Sequence, residues 1–582
     1  MAPPLRQVSV RGALAAHGRP RPDLLKAVPA LTLAVFLAPI AAGLLGTLLP
    51  AFGYLPALGG TEIGLDPWRR LLLAPELPAA LRLTLTSGLG ASVASVVIVI
   101  AFCAAAHGTR LFRTLERLLA PLLAIPHAAV AIGLAFLLAP SGWLVRLLSP
   151  WATGWTTPPD LATVQDPLGL ALTVGLVVKE VPYLLLMTLA ASGQVEVKES
   201  LAIARSLGYG SMTGWLKAVL PRLYPQIRLP IYAVIAYSLS VVDMALLLAP
   251  ATPPPLAPLL LHWFNDPDLA TRFCAAAGAI LQLLIVIAAI AAWRGAEVVL
   301  GRLARVWIAG GGRGGSGQAI RTAAGGTILL LVVLALVALA ANALWSVAER
   351  WRYPAILPTE WALARWQHHA GELGALVWTT AALGATAALC ALGLTLGCLE
   401  NEQRHGLHVS NRGLWLIYTP LLVPQMSFLF GLQVLLVGAG LDGGWIGLVW
   451  SHLLFVLPYV FLSLADPFRR LDERYARSAR CLGASSNRVF WRIKLPMLCR
   501  PVLAACAVGF AVSAAQYLPT LFAGAGRFTT LTTEAVGLAA GADRRVIGLY
   551  ALVQSLLPLL PFALAVPTRA WRRLDRPTQA LP

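Results

Sequence analysis

Residues 204–221 read Ala-Arg-Ser-Leu-Gly-Tyr-Gly-Ser-Met-Thr-Gly-Trp-Leu-Lys-Ala-Val-Leu-Pro, and residues 479–496 read Ala-Arg-Cys-Leu-Gly-Ala-Ser-Ser-Asn-Arg-Val-Phe-Trp-Arg-Ile-Lys-Leu-Pro. The identical positions include Ala204/Ala479, Arg205/Arg480, Leu207/Leu482, Gly208/Gly483, Leu220/Leu495 and Pro221/Pro496. Leu-Pro ends thirteen residues after the glycine in both copies, with an aromatic seven after it (Trp215, Phe490) and a base nine after it (Lys217, Arg492). Alanine, arginine and leucine favour helix, and the glycine permits a sharp turn. A second short amphipathic helix follows, and proline suits the first turn of the next one. Each copy thus reads as a helix–turn–helix joined rigidly to the segment that follows. A single copy is equally well read as an interfacial hairpin that anchors a loop. Two copies in matched places favour a docking surface.

Outward from these loops the chain repeats the same landmarks in the same order. Leu89-Gly90-Ala91-Ser92 is answered by Leu383-Gly384-Ala385-Thr386, with Thr86 and Thr380 each four residues before the glycine. Pro126 precedes Gly133 by seven residues, as Pro424 precedes Gly431, and Pro182-Tyr183 is matched by Pro458-Tyr459. The chain has 582 residues, 58% hydrophobic and only 12% charged, with a mean hydropathy of +0.74. A soluble fold has no place for so much apolar surface. The net charge of +19 does not indicate nucleic acid, because a basic nucleic-acid binder is not this apolar. The pattern predicts an all-α polytopic membrane protein of about twelve transmembrane helices in two homologous six-helix halves. Spans of roughly 20 residues are expected near 28–50, 82–106, 118–139, 168–191, 229–249 and 275–293. Six more are expected near 322–346, 374–398, 413–438, 445–467, 501–523 and 547–566, with Pro126 and Pro424 breaking the third and ninth.

Basic residues resist translocation. With the N-terminus inside, 33 of the 45 Lys and Arg fall in inside segments, 11 fall outside, and Lys179 lies within a span. Both ends are therefore expected in the cytoplasm, and the first apolar stretch is read as a retained span rather than a signal peptide. The expected divisions are an N-terminal segment over 1–27, a first half over 28–293, a linker over 294–321, a second half over 322–568 and a tail over 569–582. The Gly-rich residues 309–318 lack the Lys-Ser/Thr ending of a phosphate loop and read as a flexible joint. The seven cysteines lie in apolar runs or basic loops with no CxxC pair and read as unoxidised, with Cys103, Cys390 and Cys506 as small buried hydrophobes.

At the repeated loops the sequence resembles the membrane subunits of binding-protein-dependent ABC importers, type I, with their cytoplasmic "EAA" loop. That family's pattern is Glu-Ala-Ala, three residues, Gly, nine residues, an aliphatic, one residue, Leu-Pro. Ala202 and Arg477 stand where the signature glutamate would be; Glu199 and Glu473 are out of register, and the Gly-to-Leu-Pro frame is intact. The resemblance covers nearly the whole chain and implies a fused, two-copy permease of the type I fold. Gln516-Tyr517-Leu518-Pro519-Thr520 and Leu531-Thr532-Thr533-Glu534 resemble a thiamine-like branch, in a group that also handles ferric iron. Each loop would then form a coupling helix seated on an ATPase, over Gly208–Lys217 and Gly483–Arg492. The chain has no Walker A sequence, so ATP and Mg would be bound by a separate ATPase, in two copies, with one periplasmic binding protein per complex. The setting would be the bacterial inner membrane and its lipid. The chain itself would bind no cofactor or metal and contact no nucleic acid.

Charged groups within spans are costly and point to function. Lys179, Glu180 and Asp243 qualify, although Lys179 and Glu180 are adjacent and point about 100° apart on a helix. They also suit a structural pair bonded to neighbouring helices. Asp243 and Gln516 stand 22 and 20 residues after Pro221 and Pro496, in spans that follow the repeated loops directly, and are expected to face a translocation path. His127 and Gln425 each follow a span-breaking proline, where freed carbonyls could line a cavity. His405 and His408 have helical ligand spacing without a third ligand, so no metal site is expected. Trp68 and Trp361 are candidates for a binding-protein contact or for interfacial anchors. An ion-gradient-driven secondary transporter is the alternative, with Lys179, Glu180 or Asp243 carrying protons. Matched docking loops argue against it. A membrane-bound enzyme lacks any clustered nucleophile, carboxylate pair or ligand set.

Overall fold

In lipid every backbone polar group needs an internal partner, so long apolar segments close their hydrogen bonds as helices. The computed structural model describes residues 24–314, 317–407, 411–541 and 543–565, and within them shows a helical membrane protein. Nine of its helices are long and apolar enough to cross a bilayer, and two bent pairs raise the count to eleven. The remaining expected span, the fifth, is divided between Leu220–Ser238 and Asp243–Leu248. The break at Pro424 bends Trp415–Leu422 and Met426–Gly438 by 94°, and Pro126 separates Arg110–Ala124 from His127–Leu138. Residues 1–23, His408 and 566–582 lie outside the described residues, so the N-terminal segment, that histidine and the C-terminal tail are not placed.

The first helix of each half packs on the other half. Val28–Ala51 lies along Met426–Gly438, and Gln318–Val347 lies along His127–Leu138. Small residues permit this closeness. A Cβ on Gly46 would stand 2.9 Å from Gly431 Cα, and one on Gly133 would stand 2.6 Å from the Ala338 carbonyl carbon. Thr47 Oγ1 accepts the Gly431 N–H at 3.1 Å, and Asn342 Nδ2 donates to Ala129 O at 2.9 Å. Buried polar contacts thus reinforce both crossings.

The second helix of each half meets the segment that closes that half. Thr84 Oγ1 accepts the Leu256 N–H at 2.8 Å, and Thr380 Oγ1 accepts the Leu531 N–H at 3.0 Å. The expected pairing of Thr86 with Thr380 is corrected here: Thr86 is exposed and bonds Arg82 O of its own helix. Gly88, four residues after Thr84, takes the close-packed place that Gly384 takes after Thr380, against Ser238 and Leu239 in one half and Phe510 in the other. Gly90 is exposed. The likeness of Leu-Gly-Ala-Ser to Leu-Gly-Ala-Thr had aligned the helix two residues out of step. Between the halves, the helix Thr271–Ala309 continues far into the expected linker and Gln318–Val347 begins within it, so only 310–317 lie between the two helices. A two-stranded antiparallel ribbon, Ala348–Arg350 with Glu360–Trp361, follows that second helix.

Candidate functional site

Both repeated loops fold alike. Val197–Ser206 and Glu473–Cys481 are helices that end on glycines in the left-handed region, Gly208 at φ 81° and Gly483 at φ 83°. The following N–H reaches back five residues, Tyr209 to Ala204 O and Ala484 to Ala479 O, both at 3.0 Å. This glycine-dependent cap satisfies the last carbonyls and reverses the chain. Next comes a wide turn in which the Leu220 N–H bonds Trp215 O and the Leu495 N–H bonds Phe490 O, five residues back. Turns of this π type recur at functional sites. Here Pro221 and Pro496 follow at once and supply no N–H of their own. The loops lie on one face of the protein: Gln194, just before the first, donates to Asp466, just before the second, at 3.2 Å.

The repeated frame divides into inward and outward parts. Ala204 and Ala479 are buried, while Arg205, Arg480, Leu207, Leu482 and Arg492 are exposed. Trp215 is 2% exposed and so holds its loop from within, whereas Phe490 is half-buried and its neighbour Trp491 is exposed. Sequence reasoning placed both aromatics in the contact stretch; the outward apolar groups are Leu207, Leu482 and Trp491. His107, at the turn after the second helix, stands beside the first loop. Burial, with the charges of Arg205 and Lys198, pushes its imidazole below the ordinary 6.5.

The intramembrane candidates gather at breaks in the spans. His127 opens a helix after Pro126 and Gln425 caps one after Pro424. Asp243 opens Asp243–Leu248 after the break at 239–242, and Gln516 lies in the break between Cys499–Ala514 and Leu518–Gly524. All four are half-buried. The His127 ring lies 4.9 Å from that of Tyr237. Lys179 is buried and donates to Leu122 O (3.2 Å) and Ile125 O (2.7 Å), the carbonyls freed at the Pro126 break. It is close enough to feel the charges of Glu180 and Asp243. Glu180 is buried with no hydrogen-bond partner among the described residues; Tyr183, Tyr237 and Tyr459 lie within reach of its charge. Tyr517, next to Gln516, lies within reach of Asp243. The two sets of breaks therefore adjoin.

Sequence reasoning missed the side chains that hold these breaks together. Gln282 Nε2 donates to Leu239 O at 3.2 Å. In the other half Gln554 Nε2 donates to Thr532 Oγ1 (2.8 Å), which donates to Ala514 O (2.5 Å). His452, fully buried, bonds Ser513 Oγ at 2.8 Å and Thr520 Oγ1 at 2.9 Å, spanning the break at Gln516. A lone polar residue in an apolar span was the available signal. Trp68 is half-buried beside Phe52, and Trp361 is exposed. Among the described residues no group of three His, Cys, Asp or Glu is disposed to hold a metal ion.

Comparison with known proteins bears on this arrangement. Residues 391–567 match the family of binding-protein-dependent transport system inner membrane components. Over 520 residues the chain is 33% identical to the inner membrane ABC transporter permease protein YnjC of Escherichia coli (strain K12), covering 88% of this chain and 91% of that one. It is 30% identical over 173 residues to the molybdenum transport system permease protein ModB of Mycobacterium tuberculosis (strain ATCC 25618 / H37Rv), 27% of this chain and 64% of that protein. The spermidine/putrescine transport system permease protein PotC of Escherichia coli (strain K12) is 28% identical over 98 residues, 17% of this chain and 37% of its own. The fold is multi-pass and helical and the likeness runs through nearly all of both proteins, so the chain belongs to the family of binding-protein-dependent ABC transporter permeases.

Proposed function

We propose that this permease is a fused pair of homologous halves, with both ends cytoplasmic, that moves a small solute inward under the drive of a separate ATPase. The loops at Gly208–Lys217 and Gly483–Arg492 are its coupling elements, each seated on one of two ATPase subunits that bind ATP and Mg. A periplasmic binding protein delivers the solute to the opposite face, and the path runs by the span breaks at His127, Asp243, Gln425 and Gln516, with Glu180 beside it. The solute is a thiamine-like molecule or another small organic or ionic nutrient. Lys179 belongs to the scaffold of that path, because both its hydrogen bonds go to carbonyls of a broken helix.

One observation carries this reading: the same glycine cap and the same wide turn occur twice, on one face, each leading into a broken span. A carrier driven by an ion gradient has no use for two such surfaces. The test is Gly208→Pro with Gly483→Pro, which removes both left-handed caps. The expected result is loss of ATPase co-purification with membrane insertion intact. Retained ATPase binding, or solute uptake by the purified chain on a proton or sodium gradient alone, would overturn the proposal.

A further inference from the structure

The helix Thr271–Ala309 has 39 residues, which at 1.5 Å each make about 58 Å, against a bilayer core of about 30 Å. Its last third therefore stands clear of the membrane, and it ends against the first repeated loop. Lys217 Nζ donates to Trp307 O at 3.1 Å and Gly312 O at 2.9 Å. The same ammonium lies 4.6 Å from the Trp307 ring centre and 5.3 Å from that of Tyr209, a cation–π arrangement. From the loop, the Gly210 N–H donates to Arg313 O at 3.1 Å. Gly314 and Gly317 both have positive φ, and a Cβ on either would meet Thr213 Cβ or Met212 Sδ at 3.0 Å. Glycine meets both demands, an unusual backbone and close approach. The stretch that read as a free joint is laid along the loop.

Among the described residues the second loop has no such cover. A Cβ on Gly483 would meet nothing within 4 Å, and Leu482 is 88% exposed where Leu207 is 57%. It is held from its own half: Lys494 Nζ donates to Glu400 and Gln403 at 2.7 Å, and Arg404 donates to Asn487 at 3.0 Å.

We propose that the linker is a strap on the first coupling loop, so that the two ATPase-docking surfaces are unlike. The first is a composite of loop and linker, fixed by the chain itself; the second, among the described residues, is the loop without a linker laid on it. The ATPase subunit at the first surface touches the linker as well as Leu207. Its contacting face is acidic, to meet the exposed Arg205, Arg305 and Arg313. This inference rests on the docking reading above.

Limited trypsin digestion of the purified full-length permease, alone and with its co-expressed ATPase, tests it. Cleavage after Arg313 is expected to be at least tenfold faster in Lys217→Gln than in the wild type, with Gly314→Ala as an independent way to lift the strap. Equal rates in all three proteins would overturn the strap. With ATPase bound, protection is expected at Arg313 and at Arg492. Protection of Arg492 alone would leave docking standing and refute the composite surface. Protection at neither site would refute the docking reading and the composite surface with it.

Discussion

Gly431→Ala adds one methyl at the crossing of two helices from different halves. A Cβ there would stand 2.7 Å from the Gly46 carbonyl carbon and from Thr47 N, where ordinary contact begins at 3.4 Å. The obstacles are backbone atoms on a packed helix, so no side chain can swing aside. The Cβ would also overlap the Gly43 carbonyl oxygen, so Val28–Ala51 must retreat by more than ~0.7 Å, enough to forfeit about a quarter to a half of the dispersion well at each contact it breaks. Overpacking of this kind costs ~1–3 kcal/mol. The Gly431 N–H bond to Thr47 Oγ1, 3.1 Å long, stretches with it and adds about 1 kcal/mol. The expected destabilisation is about 2–4 kcal/mol. Gly133→Ala should lose a similar amount, because its Cβ would meet the Ala338 carbonyl carbon at 2.6 Å and Ala338 Cβ at 2.9 Å. Gly90→Ala is the control: its nearest neighbour, Thr173 Cγ2, is 4.0 Å away, and relief of glycine's helix penalty should stabilise by up to ~1 kcal/mol. Unfolding free energy in mild detergent, followed by tryptophan fluorescence, measures all three. Gly431→Ala as stable as Gly90→Ala would refute the exchanged-helix packing.

Lys179→Met leaves two carbonyls at the Pro126 break without a donor; relief of the buried charge offsets part of that, and a net loss of about 2 kcal/mol is expected in the same unfolding assay. Unchanged stability would remove Lys179 from the scaffold. Glu180→Gln should leave stability within about 1 kcal/mol, since no hydrogen bond is lost, while transport in ATPase-containing vesicles falls at least tenfold; normal transport would take Glu180 off the path. His107 sits below its ordinary 6.5, so the folded state favours the neutral ring. Its contribution is full above 6.5 and is lost as pH falls below that value toward the lowered one, which loosens the seat of the first loop. His107→Gln should flatten the fall in unfolding midpoint between about pH 7 and pH 5, and an unchanged slope would refute the assignment. Gln282→Leu and Gln554→Leu remove the donors at the two breaks lacking a proline of their own, and each should lower transport with membrane insertion intact.

What the sequence disclosed depended on whether a feature is local. The Gly208 and Gly483 caps were legible because glycine, helix formers and Leu-Pro at fixed spacing determine a short-range hydrogen-bond pattern. The breaks at Pro126 and Pro424 were legible because proline removes a donor. Those at 239–242 and 515–517 were not: Leu-Ser-Val-Val and Ala-Gln-Tyr contain no breaker, and their carbonyls are answered by Gln282 and by Gln554 through Thr532, far away in the chain. Trp215 read as a surface aromatic because its spacing matches Phe490, yet its side chain turns inward. The exchange of first helices left only a trace, the glycines at 43, 46 and 133, whose partners are decided by packing across halves. The strap along the first loop was hidden for a related reason. Glycine density signals freedom when nothing touches the chain, and equally signals close approach when something does.

The arrangement explains how movement at a loop could reach the middle of the membrane. From Leu220 to Ser238 the chain is one helix of 19 residues, about 28 Å at the usual rise, and it ends where Asp243 begins the next turn of structure. The loop and the break thus lie at the two ends of one helix, and displacement at Leu220 is carried to the break at 239–242 that precedes Asp243. The second half is built otherwise: Ser486–Met497 and Cys499–Ala514 meet at 75°, so its rod starts with an elbow, while its break is pinned by His452 to Ser513 and Thr520. One side combines a strapped loop with a continuous helix; the other combines a loop uncovered among the described residues with an elbow. Equal pushes at the two loops would therefore produce unequal motions at the two breaks. On the proposed function, unequal responses of the two repeated loops follow from where glycine, proline and buried polar groups fall.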